Sequence, residues 1–334
     1  MLTLTARRTV AVLAVATLSL TAAACGSSAG SGSAGSSAPA TLNSLQIIAP
    51  AAPGGGWDST SRAAQGVFER QKIVGSAEVV NVAGAGGTIG LARLAGQQGK
   101  GGTLMTMGLV MVGAIETNKS AATLDNVTPI ARLTTEQEAV VVPADSPYTT
   151  MGDLVAAWKQ DPGKVAIAGG SAGGTDQIFA GLLAKAAGID PKKVNYIPFS
   201  GGGEALAAIL GGKVTAGISA VSEFTDQVAS GKLRALAVSG AAPVKGFDAP
   251  TAKQAGLDVE LGNWRGFVAP GGISASDKKA LADAVQQMYD SPAWKQEMTK
   301  NGWDDAYQPA DQFATYLAQE KTRIKGVLAE LGLV

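Results

Sequence analysis

The sequence contains no histidine and a single cysteine in 334 residues. Without imidazole, Ser-His-Asp and Cys-His catalysis, His-ligated zinc and imidazole pH switching are excluded. One thiol excludes an internal disulfide and any cysteine-cluster metal site. Charge is sparse and balanced, with 27 Lys and Arg against 27 Asp and Glu. That balance removes the basic footprint of a nucleic-acid binder. Long apolar runs are also missing, and the longest, Thr9–Leu20, is too short for a confident membrane span.

What is present describes a folded chain. The hydrophobic fraction is 46% and the charged fraction 16%, as in a globular protein, and the length suggests two domains. Residues 1–24 read as an export signal: Arg7 and Arg8, the apolar stretch Thr9–Leu20, then small residues through Ala24. Cys25 follows, at the place where a bacterial lipoprotein is cut and acylated. The segment resembles a lipobox, with Ala22 where Leu is usual. Ordinary cleavage after Ala24, leaving a free thiol, is the alternative. Residues 25–42 form a Gly/Ser-rich tether, whose sixteen residues Gly26–Thr41 reach roughly 20–24 Å. Removing the signal removes two arginines and no acids, so the mature chain carries about −2.

From Leu45 onward a short apolar strand, a Gly-rich loop and a helix recur. Strands are expected at Leu45–Pro50, Glu78–Val82, Thr103–Met107, Val165–Ala168, Val194–Pro198, Val214–Ile218, Leu233–Val238 and Trp264–Ala269. Pro129–Leu133 and Ala139–Val142 read as two halves of one extended path. Helices are expected at Ser59–Gln71, Ile89–Gly96, Asp176–Ala187, Gly203–Leu210, Ser276–Tyr289, Pro292–Asn301 and Pro309–Gly332. The alternation predicts an α/β fold with mainly parallel sheets flanked by helices. Residues 43–135 plus 262–334 form one expected lobe and 136–261 the other. Ligands of such folds sit in the crevice outside the carboxyl ends of the strands.

Gly-rich loops mark that crevice. The first is Pro53-Gly54-Gly55-Gly56-Trp57-Asp58. Glycine lets backbone N–H groups approach a ligand, and a helix start adds partial positive charge, which suits a carboxylate or phosphate. Trp57 would lie across an apolar part of the ligand. Asp58 either caps the helix or accepts from a ligand OH or NH, and Arg62 is placed to pair with it. The second loop, Gly84 to Gly90 with Gly86 and Gly87, imitates G-x-G-x-x-G but has Ile89 at the last glycine, and a tight βα turn explains it as well. The third, Gly169 to Asp176, holds Ser171 in a G-x-S-x-G pattern. With no histidine to act as base, Ser171 and Thr175 read better as donors to a bound anion. A fourth segment, Pro198 to Glu204 with Ser200, Gly201 and Gly202, repeats the design. No Walker motif occurs.

These residues in this order resemble a known family. Ile48-Ala49-Pro50, the Gly54–Asp58 loop, Arg62, Gly86-Gly87 and Thr128–Leu133 match in the first half. Gly169–Gly174, Asn195–Phe199, Gly201–Ala205, Leu210–Gly212, Gly231–Val238 and Trp264–Pro270 continue it. The chain is thereby similar, over about residues 45–334, to the extracytoplasmic solute receptors of tripartite tricarboxylate transporters, the TctC or Bug family. The resemblance implies a two-lobed periplasmic-binding-protein fold of the second type. It implies capture of a small carboxylate, citrate-like or a dicarboxylate. It also implies delivery to an ion-driven permease of one large and one small subunit, with no cofactor and no metal. The implied ligand residues are Gly54, Gly55, Gly56, Trp57, Asp58, Gly86, Gly87, Ser171, Gly173, Gly174, Thr175, Asp176, Ser200, Gly201 and Gly202. Gln177 stands where many members carry histidine. Gln137, Glu138, Arg132, Ser219, Ser222, Trp264 and Arg265 are weaker candidates, with Glu138 expected as a solvated or capping charge.

Two other readings stand beside the receptor. One is an exported hydrolase using Ser171 with Lys164 or Lys185 as base. The other is a ligand-sensing lipoprotein without a transport role. The loop reading also predicts that Asp58→Ala alters ligand choice more than folding.

Overall fold

The computed structural model describes residues 42–200 and 202–334. The export signal, Cys25, the tether to residue 41 and Gly201 lie outside the described residues.

The first half of the chain contributes β1 (Leu45–Ala49), α1 (Gly56–Arg70), β2 (Ala77–Asn81), α2 (Thr88–Ala95), β3 (Thr103–Gly108), α3 (Leu109–Thr117), β4 (Val127–Pro143), α4 (Met151–Gln160) and β5 (Ala166–Gly169). It continues with α5 (Thr175–Ala186), β6 (Asn195–Pro198), α6 (Gly202–Leu210), β7 (Ala216–Ala220), α7 (Val221–Ala229), β8 (Leu233–Val238) and β9 (Gly262–Pro270). The chain ends with α8 (Ala275–Asp290), α9 (Pro292–Asn301), β10 (Asp304–Pro309) and α10 (Ala310–Glu330).

Strand β4 organises the molecule. Its 17 residues are rich in β-branched side chains, and Val140, Val141 and Val142 are buried. The sheet runs β2-β1-β3-β9-β4-β7-β5-β6, with β10 and β8 also pairing to β4. The first half of β4 pairs with β9, from Val127↔Pro270 to Gln137↔Gly262, and the second half pairs with β7, from Glu138↔Ala220 to Val141↔Gly217. Bulges between Pro129 and Ala131 and between Arg132 and Thr134 bend the strand along its length.

Strand directions follow from the register. β1 is parallel to β2 and to β3, and β3 is antiparallel to β9, which is antiparallel to β4. So β1, β2 and β3 run the same way as β4 and end level with its middle. β7 is antiparallel to β4 and parallel to β5, which is parallel to β6. Those three strands run towards the middle of β4 from the other side. Parallel pairing therefore holds in the flanks of each lobe, while the shared strands β9 and β4 pair antiparallel. Both sets of carboxyl ends meet at Glu136–Glu138. That line is the topological switch at which ligands of open α/β sheets bind.

Helices α3, α4 and α7 were not among the expected elements. α3 buries Leu109, Met111, Val112, Gly113, Ala114 and Ile115, so it has no polar face to give a helical period. α4 did carry a legible start, because Thr150 accepts from Asp153 N while Asp153 returns the bond. One apolar core runs from Ile48 and Met105 through Met111 and Ile178 to Phe313 and Leu328, spanning both halves of the sheet. A second, with Phe68, Phe267 and Trp294, lies beneath α1, α8 and α9.

Candidate functional site

Helix starts define the crevice. Away from it, α4, α8 and α9 are capped by the side chains of Thr150, Ser274 and Ser291. At the carboxyl ends of the central strands, α1, α2, α3, α5 and α7 begin at Gly55, Gly87, Gly108, Gly174 and Ala220, none with a side-chain cap. α10, which begins at Pro309 beyond β10, is also uncapped. The first intrahelical bonds of α1 and α5 are Ser59 N to Gly55 O at 2.9 Å and Ile178 N to Gly174 O at 3.0 Å. The N–H groups of residues 56–58 and 175–177 precede them and have no partner within the helix. Their partial positive charge faces the crevice from both lobes.

The loops are held by their own helices. Asp58 Oδ2 accepts from Gly54 N at 2.8 Å and from Arg62 Nε at 2.9 Å, and its Oδ1 accepts from Asn81 Nδ2 at 2.7 Å. Burial pushes the Asp58 carboxyl up, but these donors hold it below its ordinary value. Gln177 Oε1 accepts from Gly173 N at 2.7 Å, and Glu204 Oε2 accepts from Ser200 N at 3.1 Å. In each case the third helical residue reaches back four positions. Asp176 Oδ2 closes the third loop on Gly170 N at 2.7 Å.

This geometry corrects several expected roles. Asp58 and Asp176 are loop ties, and the N–H groups of Gly54, Gly173 and Ser200 are taken by side chains. Gly87 and Gly174 spend theirs in turns, on Gly84 O and Ser171 O. Trp57 does not lie open to a ligand: its ring packs against Met111 and against Gly87. Gly87 sits at φ +87°, and a Cβ there would come within 2.5 Å of Trp57 Cζ3. Ser171 has neither expected base beside it. Lys164 pairs with Asp161 at 3.1 Å and Lys185 with Glu330 at 2.6 Å, both at the surface. Gly201 lies outside the described residues.

The structure does bring the loops of the two lobes together. A Cβ on Gly86 would sit 3.7 Å from Ser171 Cβ. A Cβ on Gly113 of α3 would run into the Gly173 carbonyl, and Val110 Cγ1 lies 3.3 Å from a Cβ on Gly174. Gly86, Ser171, Gly173 and Gly174 thus lie along one closed seam with α3. At its far end, Leu331 packs on Gly181 and Glu330 on Lys185, beside a cavity of about 200 Å³ lined by Gln177, Lys192 and Leu333.

Beneath the seam, β4 and β9 carry polar residues missed as a group. Arg265 donates to Glu136, whose Oε2 accepts from Ser222 Oγ at 3.0 Å. The Arg265 guanidinium lies against Gly56, where a Cβ would come within 2.5 Å of Nη2. Glu138 is wholly buried, not solvated as expected, and accepts from Asn263 Nδ2 at 2.8 Å. Glu223, partly exposed, accepts from Ser219 Oγ at 3.1 Å and lies against Gly202. Burial, then the charges of Asp176, Glu136 and Glu223, push Glu138 well above its ordinary value. Burial pushes Asp176 up to about 6 and, with Asp176 and Glu136, Glu223 up to about 7. The signal was present in the sequence: Glu136 and Glu138 alternate onto one face of a strand running into Ala-Val-Val-Val. The remaining candidates are structural. Trp264 Nε1 donates to Glu320 at 2.9 Å, Arg132 stacks 4.2 Å over Tyr316, and Gln137 bonds Gly240 and Ala242.

Among the described residues, no group of acidic, cysteine or histidine side chains is placed to hold a metal ion. None of their helices is long and apolar enough to cross a membrane.

Known proteins resemble this chain in sequence and, where solved, in fold. The UPF0065 protein in gbd 5'region of Cupriavidus necator is 28% identical over 265 residues, covering 78% of this chain and 80% of that protein. Protein BugT of Bordetella pertussis is 27% identical over 299 residues, covering 86% and 89%. The crystal structure of a TctC solute binding protein from Polaromonas aligns with a TM-score of 0.64 at 27% identity, covering 86% of this chain and 98% of that one. The family model described as "Tripartite tricarboxylate transporter family receptor" matches residues 62–333. With that match spanning most of the sequence and the fold agreeing, the chain belongs to the tripartite tricarboxylate transporter receptor family.

Proposed function

We propose that this protein is an extracytoplasmic receptor that captures a small carboxylate and passes it to a permease of one large and one small subunit. Citrate-like tricarboxylates and dicarboxylates are the ligand classes that membership implies. One observation carries the reading: the helices facing the crevice lack side-chain caps, whereas Thr150, Ser274 and Ser291 cap helices elsewhere. Carboxylate oxygens complete such helix starts without any basic side chain. The ligand is held by first-turn N–H groups of α1 (Gly56, Trp57) and α5 (Thr175), with Gly55, Gly86, Ser171, Gly174 and Gly202 shaping the seam. Lobe boundaries at 43–135 plus 262–334 and at 136–261 are supported by the change of β4's partner at Glu138 and the return of the chain at Gly262. Binding shifts an open form towards the closed one, which docks on the permease. Cys25 carries the lipid anchor and residues 25–42 the tether. The protein acts by binding, without turnover.

Thermal unfolding of the full chain with a panel of carboxylates and neutral solutes tests this. A ligand at one hundred times its dissociation constant adds roughly 2.7 kcal/mol, a clear rise in midpoint. A rise with carboxylates alone is expected. A rise with an uncharged solute and none with any carboxylate overturns the anion reading of the helix starts.

A further inference from the structure

Helix α10 keeps to the first lobe for most of its length. Trp264 of β9 packs edge-on against its Phe313 and Tyr316 and donates to its Glu320. Lys321 pairs with Asp125 at 2.7 Å, and Lys325 with Glu116 of α3 at 3.5 Å. The 21 residues of α10 span about 32 Å, and the last turn leaves that lobe. Glu330 Oε2 accepts from Lys185 Nζ at 2.6 Å, Leu331 packs on Gly181, and the Lys192 stem lies against Gly332. Gly181 and Lys185 belong to α5, and Lys192 follows it, all in the second lobe.

The end of α10 is shaped for that contact. Gly332 takes φ +71°, its N–H bonds Ala329 O at 3.1 Å, and Leu333 N–H bonds Leu328 O at 2.8 Å. This double closure stops the helix and turns the chain, at a φ that glycine adopts without strain. It leaves Leu331 only 2% exposed, although it stands just past the last helical residue. The receiving face is a separate observation. Gly181 lies inside α5, where glycine is the poorest helix former after proline. A Cβ there would come 2.6 Å from Leu331 Cδ1 and 2.7 Å from Cδ2, so the missing side chain is the socket for the leucine. Gln177, Gly181 and Lys185 recur every four residues on one face of α5. Gln177 also holds Gly173 N at 2.7 Å, so the gripped face leads directly to the third loop.

We propose that the end of α10 is a clasp: Glu330, Leu331 and Gly332 grip the second lobe in the closed form alone, and slow the release of ligand. The inference rests on the receptor reading above and deepens it by assigning residues that set the release rate. The chain passes between lobes on β4 at Gln137–Glu138 and on β9 at Gly262. The clasp lies on neither strand. It grips α5 one to two turns beyond Asp176, which sits against Gly169 at the end of β5. Opening about the crossing strands therefore draws Leu331 out of its socket and parts Glu330 from Lys185. The contacts of α10 with Trp264, Asp125 and Glu116 stay within the first lobe. An arriving ligand meets the open crevice without touching the clasp, so the clasp governs departure and not arrival.

Stopped-flow tryptophan fluorescence on the full chain tests this with citrate, succinate and glucose as probes, beside unfolding of the unliganded protein. Gly181→Ala crowds Leu331 out of its socket yet improves α5 as a helix. It is expected to raise the dissociation rate about fivefold or more and to leave the association rate within about twofold. The unfolding midpoint of the free protein should hold or rise. Adding Leu331→Val removes about the volume that the alanine brought, and should return dissociation towards the wild-type rate. Lys185→Glu and Glu330→Lys should each speed release about twofold, and the two together should restore it. A dissociation rate unchanged in Gly181→Ala overturns the clasp and makes the contact packing that opening never breaks. Binding of glucose and of neither carboxylate overturns the carboxylate reading alone, and the same variants then decide the clasp on the release of glucose. Binding of none of the three overturns both.

Discussion

Asp58 shows how a residue's type misleads until its partners are known. Its position in a Gly-rich loop suggested either a cap paired with Arg62 or a part in ligand choice, and the Arg62 pair is the one present. Its three donors, on Gly54, Arg62 and Asn81, make it a structural tie. Asp58→Ala leaves those partly exposed donors without their shared acceptor, so it should cost about 1–2 kcal/mol in urea unfolding. This reverses the order expected from sequence, where ligand choice was to change first. Asp176 carries a different prediction. Its carboxyl, ordinarily near 3.8, is pushed up to about 6 by burial, against the pull of Gly170 N–H. Glu136 and Glu138 of β4, Glu223 of α7, Arg265 of β9 and Tyr196 of β6 surround it. The folded state then holds a proton that the unfolded chain has released, so the stabilising contribution is full below the ordinary value. It is lost as pH rises through about 6. Stability of the free protein should fall by about 2 kcal/mol between pH 4 and 7 from this group. Urea midpoints across that range check it, and Asp176→Asn should flatten the slope while keeping an acceptor for Gly170.

At the level of elements, the strand-loop-helix rhythm was readable because β1, β3, β5 and β7 are short apolar runs punctuated by glycine. β4 was readable only as two halves, since Thr134 to Glu138 interrupts the apolar pattern where the strand changes partners. α3 escaped because a helix buried on all sides has no amphipathic period. In the site, the Gly-rich helix starts were legible, but the ties across four residues were not read as ties. A Gly followed four positions later by Asp or Gln, as in Gly54/Asp58 and Gly173/Gln177, is the pattern to seek. The uncapped starts give a direct experiment. Gly55 is extended at φ −74°, ψ 165°, and a Cβ there would be 3.4 Å from Ala52 O, so a side chain fits. Gly55→Asp supplies α1 with the cap it lacks. Stability should hold or rise by a few tenths of a kcal/mol, and carboxylate affinity should drop about tenfold or more. Thr150→Ala, at a capped helix remote from the crevice, should do the opposite: lose about 1 kcal/mol of stability and leave affinity unchanged. Paired unfolding and binding curves separate the two.

For the whole molecule, the contact of α3 with the third loop sets how far the lobes can close. Gly113 leaves no room for a methyl group against the Gly173 carbonyl. Gly113→Ala should therefore hold the lobes apart, weakening ligand binding at least tenfold while the unliganded protein unfolds at nearly the same temperature. Small-angle scattering should show the ligand-bound variant failing to compact. One further consequence belongs to the register of β4 and β9. Gln137 and Gly262 are direct partners on adjacent antiparallel strands, and residues 138–261, nearly all of the proposed second lobe, lie between them in sequence. The second lobe is thus an insertion at the tip of what would otherwise be a β-hairpin. A pair of neighbouring attachment points makes it a cassette. Lobes from related receptors can be exchanged at Gln137 and Gly262 with no change in the path of the chain, and the ligand-sorting half of the crevice can be transplanted through two junctions that lie side by side.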